Sequence, residues 1–229
     1  MPVRLCVFDA YGTLFDVAAA AREAAAAPGG EALAGAWQGL AADWRAKQLG
    51  YTWLRAVMGA HADFWQVTQD ALDWSLEARG LAGDGALRDR LLGLYRRLSA
   101  FPEVPSVLAA LKARGQTLAI LSNGTPGMLA EAVASAGIAA HLDDVLSVEA
   151  AGVFKPARAV YDLVGARFGT APGEVLFVSS NGWDAAAGAH YGFVTAWVNR
   201  AGEPVDRLPA RPHHVLPDLS GIPDLAEAA

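Results

Sequence analysis

The chain has 229 residues, 53% hydrophobic and 18% charged, enough to bury roughly 70% of its unfolded surface and too apolar for intrinsic disorder. Its formal charge of −6 argues against a nucleic-acid partner, and its apolar runs stay far below the ~20 residues of a membrane span. The lone Cys6 allows no internal disulfide, and Asp9 and Asp16 interrupt any leader-like start, so the expectation is a soluble, cytoplasmic protein with no membrane partner.

Val3–Phe8 is a nearly continuous apolar run and predicts a buried strand. It ends in a loop carrying Asp9, Tyr11, Gly12 and Thr13. From about Val17 to Ser99 the sequence is rich in Ala, Leu and Trp and lacks strand-like runs. Leu33, Trp37, Leu40 and Trp44 recur at helical spacing, and Asp63–Arg79 predicts another helix. A helical bundle core accounts for most of the tryptophans in this stretch. After Phe101-Pro102 helices and strands alternate. A helix at about Pro105–Arg114 precedes a strand at Thr117–Leu121, which ends at Ser122-Asn123-Gly124. Next come a helix at Pro126–Ala136, a short strand near Val145–Ser147, a break at Lys155-Pro156 and a helix at Ala157–Phe168. The strand Val175–Val178 ends at Ser179-Ser180-Asn181, and one more helix and a strand at Phe193–Val198 complete the series. The proline-containing tail beyond Ala201 is expected to wrap the surface. Such alternation implies an α/β fold with a mostly parallel sheet and right-handed crossovers.

In such sheets ligands bind beyond the carboxyl ends of the strands. Four polar clusters occupy places of that kind: Asp9 to Thr13, Ser122-Asn123, Lys155, and Ser179 to Asp184. Taken singly, Asp9 reads as a turn cap, Lys155 as a solvated surface residue and Asp184 as a helix N-cap. Together they suit chemistry. One carboxylate can attack an electrophilic carbon, a second can serve as base for water, and a lysine nearby keeps a carboxyl ionised. The five histidines show no metal-ligand spacing.

The stretch Val7-Phe8-Asp9-Ala10-Tyr11-Gly12-Thr13-Leu14 resembles the first motif of the haloacid dehalogenase-like hydrolases. Ser122-Asn123, Lys155-Pro156 and Ser179-Ser180-Asn181-Gly182-Trp183-Asp184 are similar to its remaining motifs, in order. The resemblance covers nearly the whole chain. It implies a Rossmann-like core of residues 1–16 and 100–229 with a helical cap inserted at 17–99. Within the superfamily the chain looks most like the L-2-haloacid dehalogenases. The phosphatase members carry a second aspartate two residues after the nucleophile, to protonate an alkoxide; here that position is Tyr11, and a halide leaves without a proton. Their magnesium site uses an acid four positions before the last aspartate; here that position is Ser180. Because Mg²⁺ favours carboxylates, Ser180 implies a site with no metal, and no cofactor is implied.

The roles that follow are implied by the resemblance. Asp9 is the nucleophile, and Asp184 activates water. Lys155 and Tyr161 orient Asp9, and Thr13 and Ser179 hydrogen-bond around the carboxylates, with Asn181 completing the catalytic set. Ser122 and backbone N–H groups near Ala10 and Tyr11 would hold a substrate carboxylate. Tyr11, Leu49, Phe64 and Trp183 would line its alkyl side. The segment Trp44-Arg45-Ala46-Lys47-Gln48-Leu49-Gly50-Tyr51-Thr52-Trp53 is similar to the cap helix that presents an arginine to the leaving halide, so Arg45, Asn123 and Trp183 would form a halide cradle. On residue pattern alone, Arg45 beside a Trp stripe would read as a rim residue snorkelling over the core. Ala46 stands where relatives often place a pocket glutamine, which bears on substrate size. The implied partners are a small 2-haloalkanoic acid and halide, together with a second copy of the chain in a homodimer.

Overall fold

The computed structural model describes residues 3–228; Met1, Pro2 and Ala229, the outermost positions of the expected core, lie outside the described residues. Six strands form the sheet: β1 (Leu5–Phe8), β2 (Thr117–Ser122), β3 (Asp144–Ser147), β4 (Val175–Ser179), β5 (Val194–Val198) and β6 (His214–Leu216). Their order is β3-β2-β1-β4-β5-β6, and every pairing is parallel. Leu5 of β1 lies opposite Thr117 on one side and Val175 on the other. All four β1 residues and all five β4 residues are buried. Burial on both faces explains why these strands read as apolar runs instead of alternating. The chain leaves β1 toward β2 and later returns to β4 on β1's other flank. That reversal opens a crevice at the carboxyl end of β1.

Between β1 and β2 lie α1 (Ala19–Ala26), α2 (Trp37–Met58), α3 (Phe64–Ala78), α4 (Gly85–Tyr95) and α5 (Val104–Ala113). Helix α2 buries Leu40, Trp44, Gln48 and Thr52, one stripe at four-residue spacing, and packs along α3. Two members of that stripe are polar, so part of its burial must be satisfied by hydrogen bonds. Gly59, at φ +64°, closes α2 in the left-handed conformation that favours glycine. The Asp63 carboxylate accepts from the Gln66 N–H at the start of α3, and Asp84 accepts from the Leu87 N–H at the start of α4; both are N-caps. The bundle explanation suits the buried Trp44, whereas Trp53 and Trp74 are 38% and 39% exposed.

Beyond β2, α6 (Pro126–Ser135), α7 (Arg158–Phe168), α8 (Gly182–Tyr191) and α9 (Ile222–Ala228) complete the fold. No helix among the described residues is long and apolar enough to cross a membrane. The tail departs from its expected course. Residues 201–209 are exposed, but β6 then pairs with β5, and Leu219, Ile222 and Ala226 are buried in the core. The tail therefore completes the sheet edge. A three-residue edge strand has too little apolar pattern to read alone, and exists by pairing with β5.

Candidate active site

Four loops meet at the crevice. Asp9 directly follows β1, its N–H extending the ladder to Val178 O at 2.8 Å. The chain then turns back, with the N–H groups of Thr13, Leu14 and Phe15 all donating to the Ala10 carbonyl. Gly12, at φ +92°, makes the turn, and a Cβ there would lie 3.0 Å from Ser180 Oγ. Only glycine satisfies both conditions.

Asp9 is 6% exposed. Its Oδ1 faces Lys155 Nζ at 3.2 Å, and its Oδ2 accepts from Thr13 Oγ1 at 2.9 Å and Asn181 Nδ2 at 3.1 Å. Lys155 is 1% exposed, and its ammonium also donates to Asp184 Oδ2 at 2.9 Å. Burial alone would lower the Lys155 pKa, but the Asp184 and Asp9 charges outweigh it and hold the group above the usual lysine value. Asp184 is completely buried; it accepts from Tyr161 at 2.7 Å and from Ser179 at 3.1 Å besides Lys155. Desolvation pushes its pKa up, Lys155 opposes this, and the Asp9 charge adds to the rise.

The bland alternatives fall away here. Lys155 is not solvated. The N-cap of α8 is Asn181, with Asp184 in the first turn, where the helix dipole favours a carboxylate. Asn181 makes no side-chain cap bond, because its amide is diverted: Nδ2 donates to Asp9 and Oδ1 accepts from Arg45. Tyr161, expected to orient Asp9, bonds Asp184 instead. It sits on α7, with its hydroxyl on Asp184 Oδ1 at 2.7 Å.

Asp9, Tyr11, Ser122, Asn123, Lys155, Asn181 and Trp183 from the sheet side, with Arg45, Leu49 and Phe64 from the helices, enclose a cavity of about 10 Å³. That is room for roughly one water. Ser122 Oγ accepts from the Gly124 N–H, and Asn123 Oδ1 accepts from the Lys155 N–H. Among the described residues the Ala10 and Tyr11 N–H groups have no backbone acceptor. Trp183 packs its ring edge-to-face with Trp53, and its indole N–H is buried without a partner. Thr13, Tyr161, Ser179 and Asp184 do not line the cavity; Thr13 donates to Asp9, and Tyr161 and Ser179 donate to Asp184. Ala46 is exposed on α2, because one helical step turns it about 100° from Arg45.

Arg45 reaches from α2 across to the sheet loops. Its Nη2 donates to Tyr11 O at 3.0 Å and Asn181 Oδ1 at 3.1 Å, and its Nη1 to Gln48 Oε1 at 2.9 Å. Arg200 and Trp197 were missed in the sequence, and Ser180 was read only as the place of a lost magnesium carboxylate. Ser180 donates its N–H to Thr13 Oγ1 at 2.8 Å, Arg200 donates to Thr13 O, and the Trp197 indole donates to Ser180 O. Gln48 carried one signal, a glutamine on the otherwise core-facing stripe of α2.

Comparison with known proteins adds an independent finding. Residues 3–192 match the family model of the haloacid dehalogenase-like hydrolases. The chain is 44% identical over 224 residues to (S)-2-haloacid dehalogenase 1 of Pseudomonas sp. strain CBS-3, covering 98% of this chain and 96% of that protein. It is 40% identical to the (S)-2-haloacid dehalogenase of Pseudomonas sp. strain YL, covering 97% and 94%. It superimposes with a TM-score of 0.86 on L-2-haloacid dehalogenase from Xanthobacter autotrophicus with chloropropionic acid covalently bound, at 38% identity and covering 97% and 98% of the two chains. With the strand order, the four strand-end motifs and full-length likeness in agreement, this chain belongs to the haloacid dehalogenase-like hydrolases, in the branch of the (S)-2-haloacid dehalogenases.

Proposed function

We propose that this protein hydrolyses short L-2-haloacids to D-2-hydroxy acids through an ester on Asp9. One observation carries the proposal: the Asp9 carboxylate faces a small cavity, with both oxygens held by donors from separate segments, Thr13, Lys155 and Asn181. Fixing a nucleophile in this way supplies the in-line geometry for attack at carbon. An Asp9 oxygen attacks C2, the C–halogen bond breaks, and the halide leaves with the electron pair, inverting the centre. Arg45 and Trp183, both cavity-lining, stabilise the departing charge with N–H donors and an aromatic edge in a dry pocket. The Ala10 and Tyr11 N–H groups and Ser122 receive the substrate carboxylate. Water then adds to the ester carbonyl and frees the hydroxy acid without touching C2. Asp184 serves as base for that water. Support for this role comes from its burial-raised proton affinity and its contact with the lysine that also touches Asp9.

A metal-dependent phosphohydrolase of the same fold is the rival. Tyr11 and Ser180 lack the carboxylates it would need, and Asp184's oxygens are already engaged by three protein donors. In this proposal residues 17–99 act as a cap over a core of 1–16 and 100–229, with no metal or cofactor. The buried, inert Cys6, its thiol pushed up to about 12 by burial, suits a cytoplasmic setting. Leu54, Val57 and Met58, 59%, 88% and 73% exposed along α2, offer the apolar face for a homodimer.

The test is a single turnover on L-2-chloropropionate with excess enzyme in heavy-oxygen water. Label should enter Asp9 and leave the hydroxy acid unlabelled. A labelled product with unlabelled Asp9 would mean that water attacks carbon directly, which overturns the ester.

A further inference from the structure

We infer that Gln48 is the positioning residue for Arg45, fixing the guanidinium over the cavity through a neutral mount shared with Thr68 and Tyr95. The inference rests on the proposed role of Arg45 at the departing halide.

Gln48 is 1% exposed, an uncommon burial for an amide side chain. Its orientation is dictated by its neighbours. Arg45 can only donate, so the atom facing Nη1 at 2.9 Å must be the amide oxygen. Thr68 Oγ1 donates its proton to Phe64 O at 2.7 Å, so it must accept at its other contact, which is Gln48 Nε2 at 2.8 Å. The Tyr95 hydroxyl lies 3.0 Å from the same nitrogen. Each amide end therefore has an assigned partner, and a flipped amide would set a donor against Arg45.

The mount is anchored in three helices. Gln48 comes from α2, Thr68 from α3, and Tyr95 from the end of α4. The Thr68 carbonyl accepts from the Trp44 indole. Tyr95 is buried and stacks on Tyr11 at 5.6 Å and 12°, and Tyr11 O accepts from the other guanidinium nitrogen. Arg45 is thus gripped from the helices on one nitrogen and from the strand loop on the other. A carboxylate at position 48 would grip as well, but it would neutralise the charge. A neutral amide fixes the planar fork and leaves its full charge for an anion.

The prediction concerns leaving groups. Halide departure belongs to the first committed step, so kcat/KM reports it even when ester hydrolysis limits kcat. Chloride leaves less readily than bromide and depends more on stabilisation. Gln48→Met keeps shape but loses the acceptor. It should lower kcat/KM for L-2-chloropropionate by about tenfold, less than the ~10² of losing a direct donor, and lower it less for L-2-bromopropionate. The bromide-to-chloride ratio should therefore rise severalfold. Tyr95→Phe, which keeps the ring stack, should move the ratio the same way by a smaller factor, and it carries the test should Gln48→Met not fold. Equal losses for both halides, or a shift in thermal midpoint with the ratio unchanged, would overturn the inference and leave Gln48 as packing. Arg45→Lys is the control. If it fails to raise the ratio, the reading of Arg45 falls, whatever Gln48 does. If it raises the ratio while Gln48→Met and Tyr95→Phe do not, only the inference about Gln48 falls.

Discussion

The sheet side and the helical side of the cavity hold their cations by opposite means. At the strand ends Lys155 is fixed by charge, between Asp9 at 3.2 Å and Asp184 at 2.9 Å. On α2, Arg45 is fixed by an amide oxygen, a backbone carbonyl and a second amide oxygen, none of them charged. The difference matches the work proposed for each. A lysine that holds a nucleophile in place is spent on its carboxylates. An arginine that must meet a new anion in every turnover has to keep its charge uncommitted.

Breaking the charged side should have the largest effect. Lys155→Met leaves two buried carboxylates without their cation, and losing one partner of a buried ion pair costs about 3–5 kcal/mol. Urea unfolding should show that loss, along with loss of turnover. Because the Lys155 pKa is raised in the fold, its contribution is fully present below the unfolded lysine pKa. It declines only as pH climbs through the higher folded value. Arg45→Lys, by contrast, should leave the urea midpoint nearly unmoved, and an equal loss of stability would erase the distinction between the two sides.

Next in size is Asp184→Asn. It keeps the side-chain shape and removes the base, so kcat should fall by ~10² or more. A mass adduct should build up on the Asp9 peptide, and a slow variant without the adduct would move Asp184 out of the water step. A subtler change is Tyr161→Phe, which deletes one donor to Asp184. That hydrogen bond favours the ionised form, and burial already sets the Asp184 pKa above the ordinary carboxylate range. Removing it raises the pKa again, so the acid limb of the kcat–pH profile should shift to higher pH. A shift to lower pH, or none, would show that Asp184 does not set that limb. Smallest of all is Asp84→Ala on the helical side. Loss of this cap should cost about 1 kcal/mol in urea unfolding, with kcat/KM unchanged because no residue of α4 lines the cavity.

The same contrast governs what was legible in the sequence. Strand ends advertise themselves: Asp9, Ser122-Asn123, Lys155 and Ser179 to Asp184 each follow an apolar run or a break, and the parallel fold carries those ends to one edge. The helices offer no such punctuation. Arg45 was found only through a motif likeness, and Gln48, Thr68 and Tyr95 were missed. Their meaning lies in contacts between α2, α3 and α4 that no single periodicity encodes. Tyr161 was found but given a different partner, since sequence order does not say which of the two carboxylates its hydroxyl reaches. The edge strand β6 escaped notice because pairing creates it, not pattern.

The cavity itself, about 10 Å³ between the Arg45 face of α2 and the strand loops, has a kinetic consequence. A haloacid is larger than the single water such a space admits, so substrate entry is predicted to need the Arg45 face of α2 to separate from the strand loops. The same separation would let the hydroxy acid and the halide escape. If such separation limits turnover, thickening the medium with sucrose should slow kcat even with the best leaving group. The Gln48 mount is tied to α2, α3 and α4 together, so any closing that moves these helices as one would return Arg45 to the same place. A small rigid fixture inside a moving layer allows a cleft to open wide and still reassemble its chemistry.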